Sequence, residues 1–489
     1  MKKVLVVVLC LVMAMSLLSG CSKTKSSDTT NEVTKEPANE AGNTGNKDAA
    51  ETPAQDQPVT ITIGVSPSDT ATEADIQRWD NAVATMKEKY PNVTLVEARY
   101  DYAPDTFVAL AEAGNLPTLY GTWFTEPQKL ISQGYAADIT EELQTRNWID
   151  PMNKSLLSIH SDKDGKVYGV PVAAYGLGLM INVDLFKAAG LVDAEGVPIY
   201  PKTWQEVAED AKKIKDATGE AGLVLLAQDG AGGWHFSNIA WNFGAVLTVE
   251  NEDGTYTANL DSPEAIEAME FVKSLKWKYD VLTADPTTEN WGSGFTALGA
   301  GTAAMYIGAN DALGLPITNG LELGHLAICA FPAGPNGVQY SLAGGSSYMF
   351  SPDATKEQIK AALDFTEIYG YGPSTESLSG FENEIKAYKE TGRPVVRPFP
   401  IWTNDDLING QNAIIEKYND GVNPKMYSNY YDIVTKEGNL HTEDKGSVQD
   451  MYAELTKVLQ AVLTDKNADT ASLMKTADEN YQKILDGLK

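Results

Sequence analysis

The chain has 489 residues, enough for several domains of ordinary size, and its 38 basic and 67 acidic residues give a formal net charge of −29. Acid this abundant and this evenly spread excludes nucleic acid and anionic lipid as partners drawn by the general field of the protein. Of three cysteines, Cys10 and Cys21 fall near the amino terminus, so Cys329 is the one thiol left in the folded part and no disulfide is expected there.

The amino terminus has the pattern of an export signal. Lys2 and Lys3 precede an apolar run that ends at residue 18 and is too short for a comfortable membrane span, which is typical of a signal peptide over residues 1–20. The run ends in Leu-Ser-Gly-Cys, which resembles the bacterial lipobox. Cys21 is therefore predicted to be the lipidated first residue of the mature protein.

A polar segment separates this cysteine from the fold. Residues 21–58 contain no aromatic side chain and almost no branched aliphatic one, so they cannot form a core and are predicted to be a disordered tether. A flexible coil of this length holds a folded body on the order of 35 Å from its anchor. The expected location is the extracellular face of a cell membrane of Gram-positive type.

Strands and helices alternate at the start of the folded part. Strands are predicted at 59–65, 93–98 and 116–120, with helices at 72–90 and 105–112 between them, an order that favours a parallel sheet. Ligands bind open α/β sheets at the carboxyl ends of the strands. The candidates at those ends are Ser68, Asp69, Trp123 and Glu126.

The segment 165–186 is predicted to be a hinge. Its first half is an extended apolar run in which Pro171 removes one ladder donor, so the strand must lie at an edge or a crossing. Gly176 and Gly178 follow and allow backbone torsions that other residues disfavour, which suits a segment that bends. The alternative is an ordinary edge strand before a helix.

More candidates follow later strands. A strand at 223–226 leads into a glycine-rich turn over 228–235, and a buried strand at 303–307 leads into another polar turn. Trp241 lies at helical spacing and fits either the core or a cleft. The residues singled out here are Asp229, Trp234, Trp241, Trp291, Asn310 and Asp311. Aromatic faces bind the C–H faces of pyranose rings, and carboxylates and amides bind sugar hydroxyls, so this set predicts a sugar site.

Sequence motifs for catalysis are missing. The chain has no nucleophile elbow, no His-Glu-x-x-His, no phosphate-binding glycine loop and no CxxC pair. We therefore predict a protein that is not an enzyme and that needs no cofactor or metal. A surface glycoside hydrolase stays open, because it requires only two suitably placed carboxylates.

Four stretches together carry a family resemblance. They are Gly-Lys-Val-Tyr-Gly-Val-Pro-Val-Ala from residue 165, Pro-Lys-Thr-Trp from 201, Gly-Thr-Ala-Ala-Met-Tyr-Ile-Gly from 301, and Phe-Pro-Ala-Gly-Pro-Asn-Gly from 331. With them, the chain from residue 59 onward resembles the family 1 extracellular solute-binding lipoproteins of ABC sugar importers.

The resemblance implies a fold and an organisation. The fold is α/β, of the periplasmic-binding-protein-like type II class, with two lobes joined by a hinge and a ligand cleft between them. One lobe holds residues 59–170 plus about 350–380. The other holds 171–345 plus about 381–489.

The resemblance also implies a function. By position it adds Tyr175 to the candidates, where the family's best-known member has an acid, and that departure makes a maltodextrin ligand doubtful. The implied partners are a sugar or oligosaccharide, ABC permease subunits and the membrane through the lipid, for a monomer that does not bind nucleic acid. A ligand sensor for a membrane kinase is an alternative. An insert at 375–402 carries Arg393 and Arg397, which either bind the carboxylate of an acidic sugar or pair with surface acids.

Overall fold

The computed structural model describes residues 57–69, 71–419, 421–436 and 438–487. The predicted signal peptide, the predicted lipidation site Cys21 and the predicted tether as far as residue 56 lie outside the described residues. Within the described part, no helix combines the length and the apolar character that a membrane crossing requires.

Eleven strands are present in the described chain. They are β1 Val59–Ile63, β2 Val93–Glu97, β3 Leu119–Trp123, β4 Gly169–Asn182, β5 Ala221–Val224, β6 Thr248–Glu250, β7 Tyr256–Ala258, β8 Ala303–Ala309, β9 Leu326–Cys329, β10 Ser341–Phe350 and β11 Leu440–His441.

The α-helices outnumber the strands. They are α1 Glu73–Lys89, α2 Pro104–Glu112, α3 Pro127–Ser132, α4 Thr140–Thr145, α5 Lys154–Ile159, α6 Val183–Ala188, α7 Trp204–Thr218, α8 Asp229–Asn242, α9 Pro263–Trp277, α10 Trp291–Gly299, α11 Gly314–Thr318, α12 Lys356–Thr366, α13 Leu378–Glu390, α14 Asp405–Tyr418, α15 Lys425–Val434, α16 Val448–Thr464 and α17 Thr470–Leu485. Shorter 3-10 turns lie at Pro286–Thr288, Asn310–Ala312, Leu323–His325 and Thr375–Ser377, and a π-helical turn at Glu367–Tyr371.

Most strands belong to one large mixed sheet. Its order is β2-β1-β3-β10-β4-β8-β5, with β9 paired to β4 and β11 to β10. Strand β1 runs parallel to β2 and β3, as the alternation of strands and helices predicts. Strand β10 is antiparallel to both β3 and β4 and so joins the two halves of the sheet. This mixed α/β architecture confirms the predicted fold class.

Strand β4 crosses from one half of the sheet to the other. Its first half pairs with β10 up to Gly176, and its second half pairs with β8 and β9 from Leu177 onward. Pro171 lies beside a shift in register between Ser346 and Ser347, where a missing N–H donor costs no ladder bond. The proline therefore lies where its chemistry requires, at a crossing.

The apolar side chains form two large clusters, one around each half of the sheet. The first core includes Ile61, Trp79, Leu119, Val170, Phe350 and Phe365. The second core includes Leu179, Phe186, Trp204, Leu223, Phe236 and Leu459. Because β4 contributes Val170 to one and Leu179 to the other, a single strand connects both cores.

The segment that contains the 375–402 insert packs beside the first core. Phe381 and Ile385 of α13 form a small cluster with Val395. In the same helix, Oε2 of Glu384 lies 3.8 Å from Nη1 of Arg78 in α1. Helix α13 is thus fixed against α1.

Helix α8 differs from the prediction, because the turn expected over 228–235 is the first part of the helix. A Cβ at Gly233 would lie 2.1 Å from the carbonyl oxygen of Tyr452, and one at Gly232 would lie 3.0 Å from Thr456. The N–H of Gly233 donates to the Thr456 hydroxyl at 2.8 Å. These glycines therefore allow close approach of α8 to α16, and they do not mark a loop.

Candidate ligand-binding site

The site is built around the point where β4 and β10 cross. Tyr175 of β4 lies opposite Gly344 of β10, where a Cβ would come within 2.1 Å of the tyrosine ring. Glycine at that position is what lets the ring lie across the neighbouring strand. Burial raises the pKa of the Tyr175 hydroxyl, and the negative charges of Asp311 and Glu443 add to the rise. Tyr175 is thus near two acids that come from distant parts of the chain.

One wall of the site follows the end of β3. Trp123 is the last residue of that strand and is 49% exposed, whereas the next residue, Phe124, is buried. The Trp123 ring meets Tyr102 edge to face at 5.5 Å. Tyr102 donates to Oε2 of Glu126 at 2.5 Å, and Thr125 donates to Oε1 at 3.1 Å. Trp123 therefore presents an open aromatic face beside a carboxylate that is held in place.

A second wall comes from the segment that joins β11 to α16. Glu443 accepts a hydrogen bond from the Tyr452 hydroxyl at 2.9 Å. Asp444 accepts from the indole N–H of Trp241 at 3.4 Å. Both carboxylates are half-buried beside other acids. Sequence inspection did not select either of them.

These acids share an unusual electrostatic environment. Burial raises the pKa of Glu443 to about 7, and the negative charges of Glu126 and Asp444 contribute to the rise. Burial raises the pKa of Asp444 to about 7 as well. The pKa of Asp311 rises to about 6, because surrounding protein atoms displace bulk water although its side chain stays open to the cavity. We call Trp123, Glu126, Tyr175, Asp311 and Glu443 the crossing cluster.

Asn310 and Asp311 are positioned by Tyr430 of α15. The Tyr430 hydroxyl is 2.8 Å from Oδ1 of Asn310 and accepts from the N–H of Gly176 at 3.1 Å. It also donates to the Gly176 carbonyl. One buried phenol thereby ties the turn after β8 to the middle of β4.

A cavity of about 390 Å³ opens beside β4. We call it the crossing cavity. It is lined by Val172 to Ala174 of β4, by Asn310 and Asp311, and by the segment that follows α13. Its volume falls within the range of small-molecule sites, about 300–1,000 Å³. Asp311 belongs to both the crossing cluster and this cavity, so the two adjoin at this residue.

Two predicted tryptophans contact each other. Trp234 of α8 and Trp291 of α10 contact edge to face at 5.4 Å, and both are partly exposed. His235 lies buried against the two rings, and within the described residues neither of its ring nitrogens has a partner. Burial lowers the pKa of His235 to about 3, so the ring is neutral.

The remaining candidates occupy different surroundings. Trp241 is 1% exposed and stacks on His441 at 4.0 Å, so of the two environments that its spacing allowed it occupies the core. Asp229 is exposed at the start of α8, with φ of 50°. Ser68 and Asp69 lie in the loop after β1, where the Ser68 carbonyl accepts from the N–H of Ala71.

The described residues contain no group of three or more His, Cys, Asp and Glu side chains able to hold a metal ion. What the crossing cluster offers is an exposed indole, one phenol and three carboxylates that accept hydrogen bonds. That chemistry suits a hydroxyl-rich ligand with an apolar face.

Comparison with known sequences gives one family. The sequence profile described as "Bacterial extracellular solute-binding protein" matches residues 69–367. A binding protein of Brucella abortus is 32% identical over 206 residues, which are 41% of this chain and 47% of that protein. The maltooligosaccharide ABC transporter solute-binding lipoprotein of Streptococcus pneumoniae strain R6 is 25% identical over 311 residues, 63% of this chain and 66% of that one. The matched stretch is thus about half the length of the Brucella relative and just under two thirds of the Streptococcus one.

Comparison with solved structures finds proteins with a fold similar to that of this chain. The cyclic α-maltosyl-1,6-maltose binding protein of Arthrobacter globiformis superposes with a TM-score of 0.66 at 20% identity, covering 88% of this chain and 100% of that one. At this identity the likeness concerns the fold.

Proposed function

The chain belongs to the bacterial extracellular solute-binding protein family, and from that premise we propose that it is a membrane-anchored receptor that binds a sugar or oligosaccharide and delivers it to an ABC permease. Lipidation at Cys21 would hold it at the outer face of the membrane. The Streptococcus relative is itself named as a maltooligosaccharide-binding lipoprotein, which supports both the ligand class and the anchor.

The observation that carries the proposal is the crossing cluster. An indole face that is 49% exposed stands beside a carboxylate, and Tyr175, Asp311 and Glu443 come together from three other parts of the chain. Stacking on Trp123 and hydrogen bonds to the acids are the two contacts that a pyranose ring needs. Trp241 is left out of this set because it is buried.

The proposed mechanism is closure of two lobes. The first would contain residues 59–170 and about 350–380, and the second 171–345 and about 381–489. Helix α13 spans the boundary predicted near residue 380, and because it packs on α1 we assign the whole helix to the first lobe, which extends that lobe beyond the predicted bound. A ligand that touches both walls binds the closed state more tightly and shifts the population toward it.

Glu126 and Glu443 favour one rival function, that of a surface glycoside hydrolase. A carboxyl whose pKa is raised to about 7 beside a second carboxylate is what an acid catalyst of glycoside cleavage requires. Chromatography of the sugar after incubation separates the two functions, since a receptor returns it intact.

Replacing Trp123 tests the placement of the site. We expect Trp123→Ala to weaken the binding of a saccharide by about 30-fold, the loss that corresponds to about 2 kcal/mol. Fluorescence titration of the wild-type protein and the variant measures it. Val246→Ala, which trims another exposed apolar side chain, is the control and leaves the affinity unchanged. Equal affinities of wild type and Trp123→Ala would move the site elsewhere.

A further inference from the structure

The chain has five arginines, and two of them differ from the rest in their surroundings. Arg78, Arg99 and Arg146 each form an ion pair with a carboxylate. Arg393 and Arg397 form none with any described residue, although the protein carries 67 acids. Both are exposed, and both line the crossing cavity. In a body this acidic, two guanidinium groups without an ion pair in one cavity call for an explanation.

Aromatic rings hold both guanidinium groups. Arg393 lies over the ring of Tyr388 at 5.2 Å, and Arg397 lies over the ring of Tyr431 at 4.8 Å. Such stacking fixes the plane of a guanidinium while its N–H donors stay free to bind. The aliphatic part of Arg393 also lies against Gly314, where a Cβ would be 2.7 Å from its Cγ. Arg393 therefore reaches from the α13 side of the cavity to the α11 side.

The local sequence restrains the backbone of both residues. Pro394 follows Arg393 and Pro398 follows Arg397. A residue before proline is confined to extended conformations, and proline fixes its own φ. The two arginines are thus presented by a stiff segment, which lowers the entropy that a ligand must overcome.

Other groups in the cavity suit a saccharide. Gln411 and Asn412 line it together with the Trp402 side chain, and Asp311 connects it to the crossing cluster. From these contacts we infer that the crossing cavity binds a carboxylate-bearing saccharide, with Arg393 and Arg397 as the partners of the carboxylate. The inference rests on the proposed function and narrows its ligand from sugars in general to uronic-acid sugars.

A carboxylate fits the cavity better than a phosphate ester. Arginine binds the planar carboxylate through two parallel hydrogen bonds. Asp311 and Glu384 also line the cavity, and their negative charges repel a phosphate dianion more than a single carboxylate charge. The Glu384 carboxylate is itself engaged by the Tyr388 hydroxyl at 2.7 Å.

The test uses pairs of saccharides that differ in one group. Oligogalacturonides, oligoglucuronides, alginate oligomers and glucuronic-acid-substituted xylo-oligosaccharides are titrated beside their carboxyl-reduced forms, which keep every linkage and lose the charge. We expect at least one acidic saccharide to bind at least ten times more tightly than its reduced partner. That advantage should shrink as salt is raised.

Variants locate the effect in the cavity. Arg393→Met and Arg397→Met keep an aliphatic stem and should each weaken the acidic saccharide by about 10- to 100-fold, while the reduced form changes little. Arg397→Lys keeps the charge without the planar fork and should fall between. Lys356→Met removes one positive charge from an exposed ion pair with Glu141 and should change neither affinity.

The possible outcomes distinguish failure of the carboxylate preference from failure of the proposed receptor function. Binding of neutral sugars with no preference for any acidic form overturns the inference and leaves the receptor function intact. Preference for a phosphorylated or sulfated sugar overturns the carboxylate class. If no saccharide of either kind binds, both the inference and the proposed function fail.

Discussion

Tyr430 shows how one buried hydroxyl organises the site. Its oxygen serves the N–H and the carbonyl of Gly176 and the side chain of Asn310. Tyr427 on the same helix is also buried, yet its hydroxyl has no hydrogen-bond partner within the described chain. A comparison of the two tyrosines therefore separates the contribution of the hydroxyl's hydrogen bonds from that of ring packing.

Removing the Tyr430 hydroxyl should destabilise the fold. We expect Tyr430→Phe to lower the free energy of unfolding by about 1–3 kcal/mol, because polar groups of Gly176 and Asn310 lose their buried partner. Tyr427→Phe is the matched control and should be neutral or slightly stabilising. The midpoints of urea unfolding compare them, and equal midpoints would contradict the role given to Tyr430.

Glu443 couples the site to pH. Its folded pKa of about 7 lies above the ordinary value of a glutamate, so ionisation penalises the folded state and not the unfolded one. The stability associated with its protonated form is fully present below about pH 4.5 and is lost as pH rises through about 7. The buried histidines, whose pKa values are lowered, act in the opposite sense, so a variant is needed to isolate the effect.

Comparison of Glu443→Gln with wild type isolates the contribution of Glu443 ionisation to the pH dependence of stability. We expect the variant to melt about 2 °C above wild type at pH 8 and to lose this advantage at pH 5, where the wild-type side chain is protonated. Glu267→Gln, at an exposed position, should show no such dependence. An advantage that is the same at both pH values would mean that relief of ionisation is not its cause.

Candidate site residues at the ends of strands can be predicted from the sequence. A short apolar run marks the strand, and the polar turn after it marks the candidate residues. Trp123, Glu126, Asn310 and Asp311 are of this kind. Glu443 follows β11, a strand of only two residues, Leu440–His441. That strand pairs with β10, which is distant in the sequence, and no local sequence pattern predicts this pairing. Its place in the site depends on tertiary packing alone.

Among the elements, β4 has the most demanding packing. The sequence predicts Gly176 and Gly178 to be hinge glycines, and the structure shows close approach of neighbouring atoms at both. A Cβ at Gly176 would lie 2.3 Å from Val434, and one at Gly178 would lie 2.4 Å from the carbonyl oxygen of Cys329. Neither residue has a positive φ. Strand β4 can therefore connect the two cores only if these positions lack side chains.

This packing predicts a large effect of a single methyl group. Gly178→Ala should cost about 2–3 kcal/mol or more, because the obstructing atom belongs to the backbone of β9 and cannot rotate away. Gly324→Ala, with no atom within 4 Å of the added carbon, should cost little. Chemical denaturation measures both, and a stable Gly178→Ala protein would contradict the packing argument.

Element types were predictable where periodicity was strong, and α8 shows where they were not. Three glycines in seven residues predict a turn because glycine disfavours helices. Contact with α16, more than 200 residues later in the chain, outweighs that preference. The close packing of α8 on α16, which requires these glycines, is visible only in the folded structure.

At the scale of the whole molecule, β4 and β10 lie between two cores and beneath one site. The walls of the crossing cluster come from the end of β3 on one side and from the segment before α16 on the other. This is the arrangement in which motion of one core relative to the other would open or close the site. The parallel pairing of β1 with β2 and β3 follows from the order of strands and helices, whereas the antiparallel pairing of β10 with β3 and β4, which makes the sheet mixed, required the structure.

Isothermal titration calorimetry of the purified protein against neutral and acidic oligosaccharides, with chromatography of the recovered sugar, measures whether the protein binds a saccharide and leaves it intact. We expect saturable binding of one saccharide per protein, with a negative heat-capacity change from burial of the aromatic face and with the sugar recovered intact. Cleavage of the sugar, or no heat with any saccharide, would contradict it.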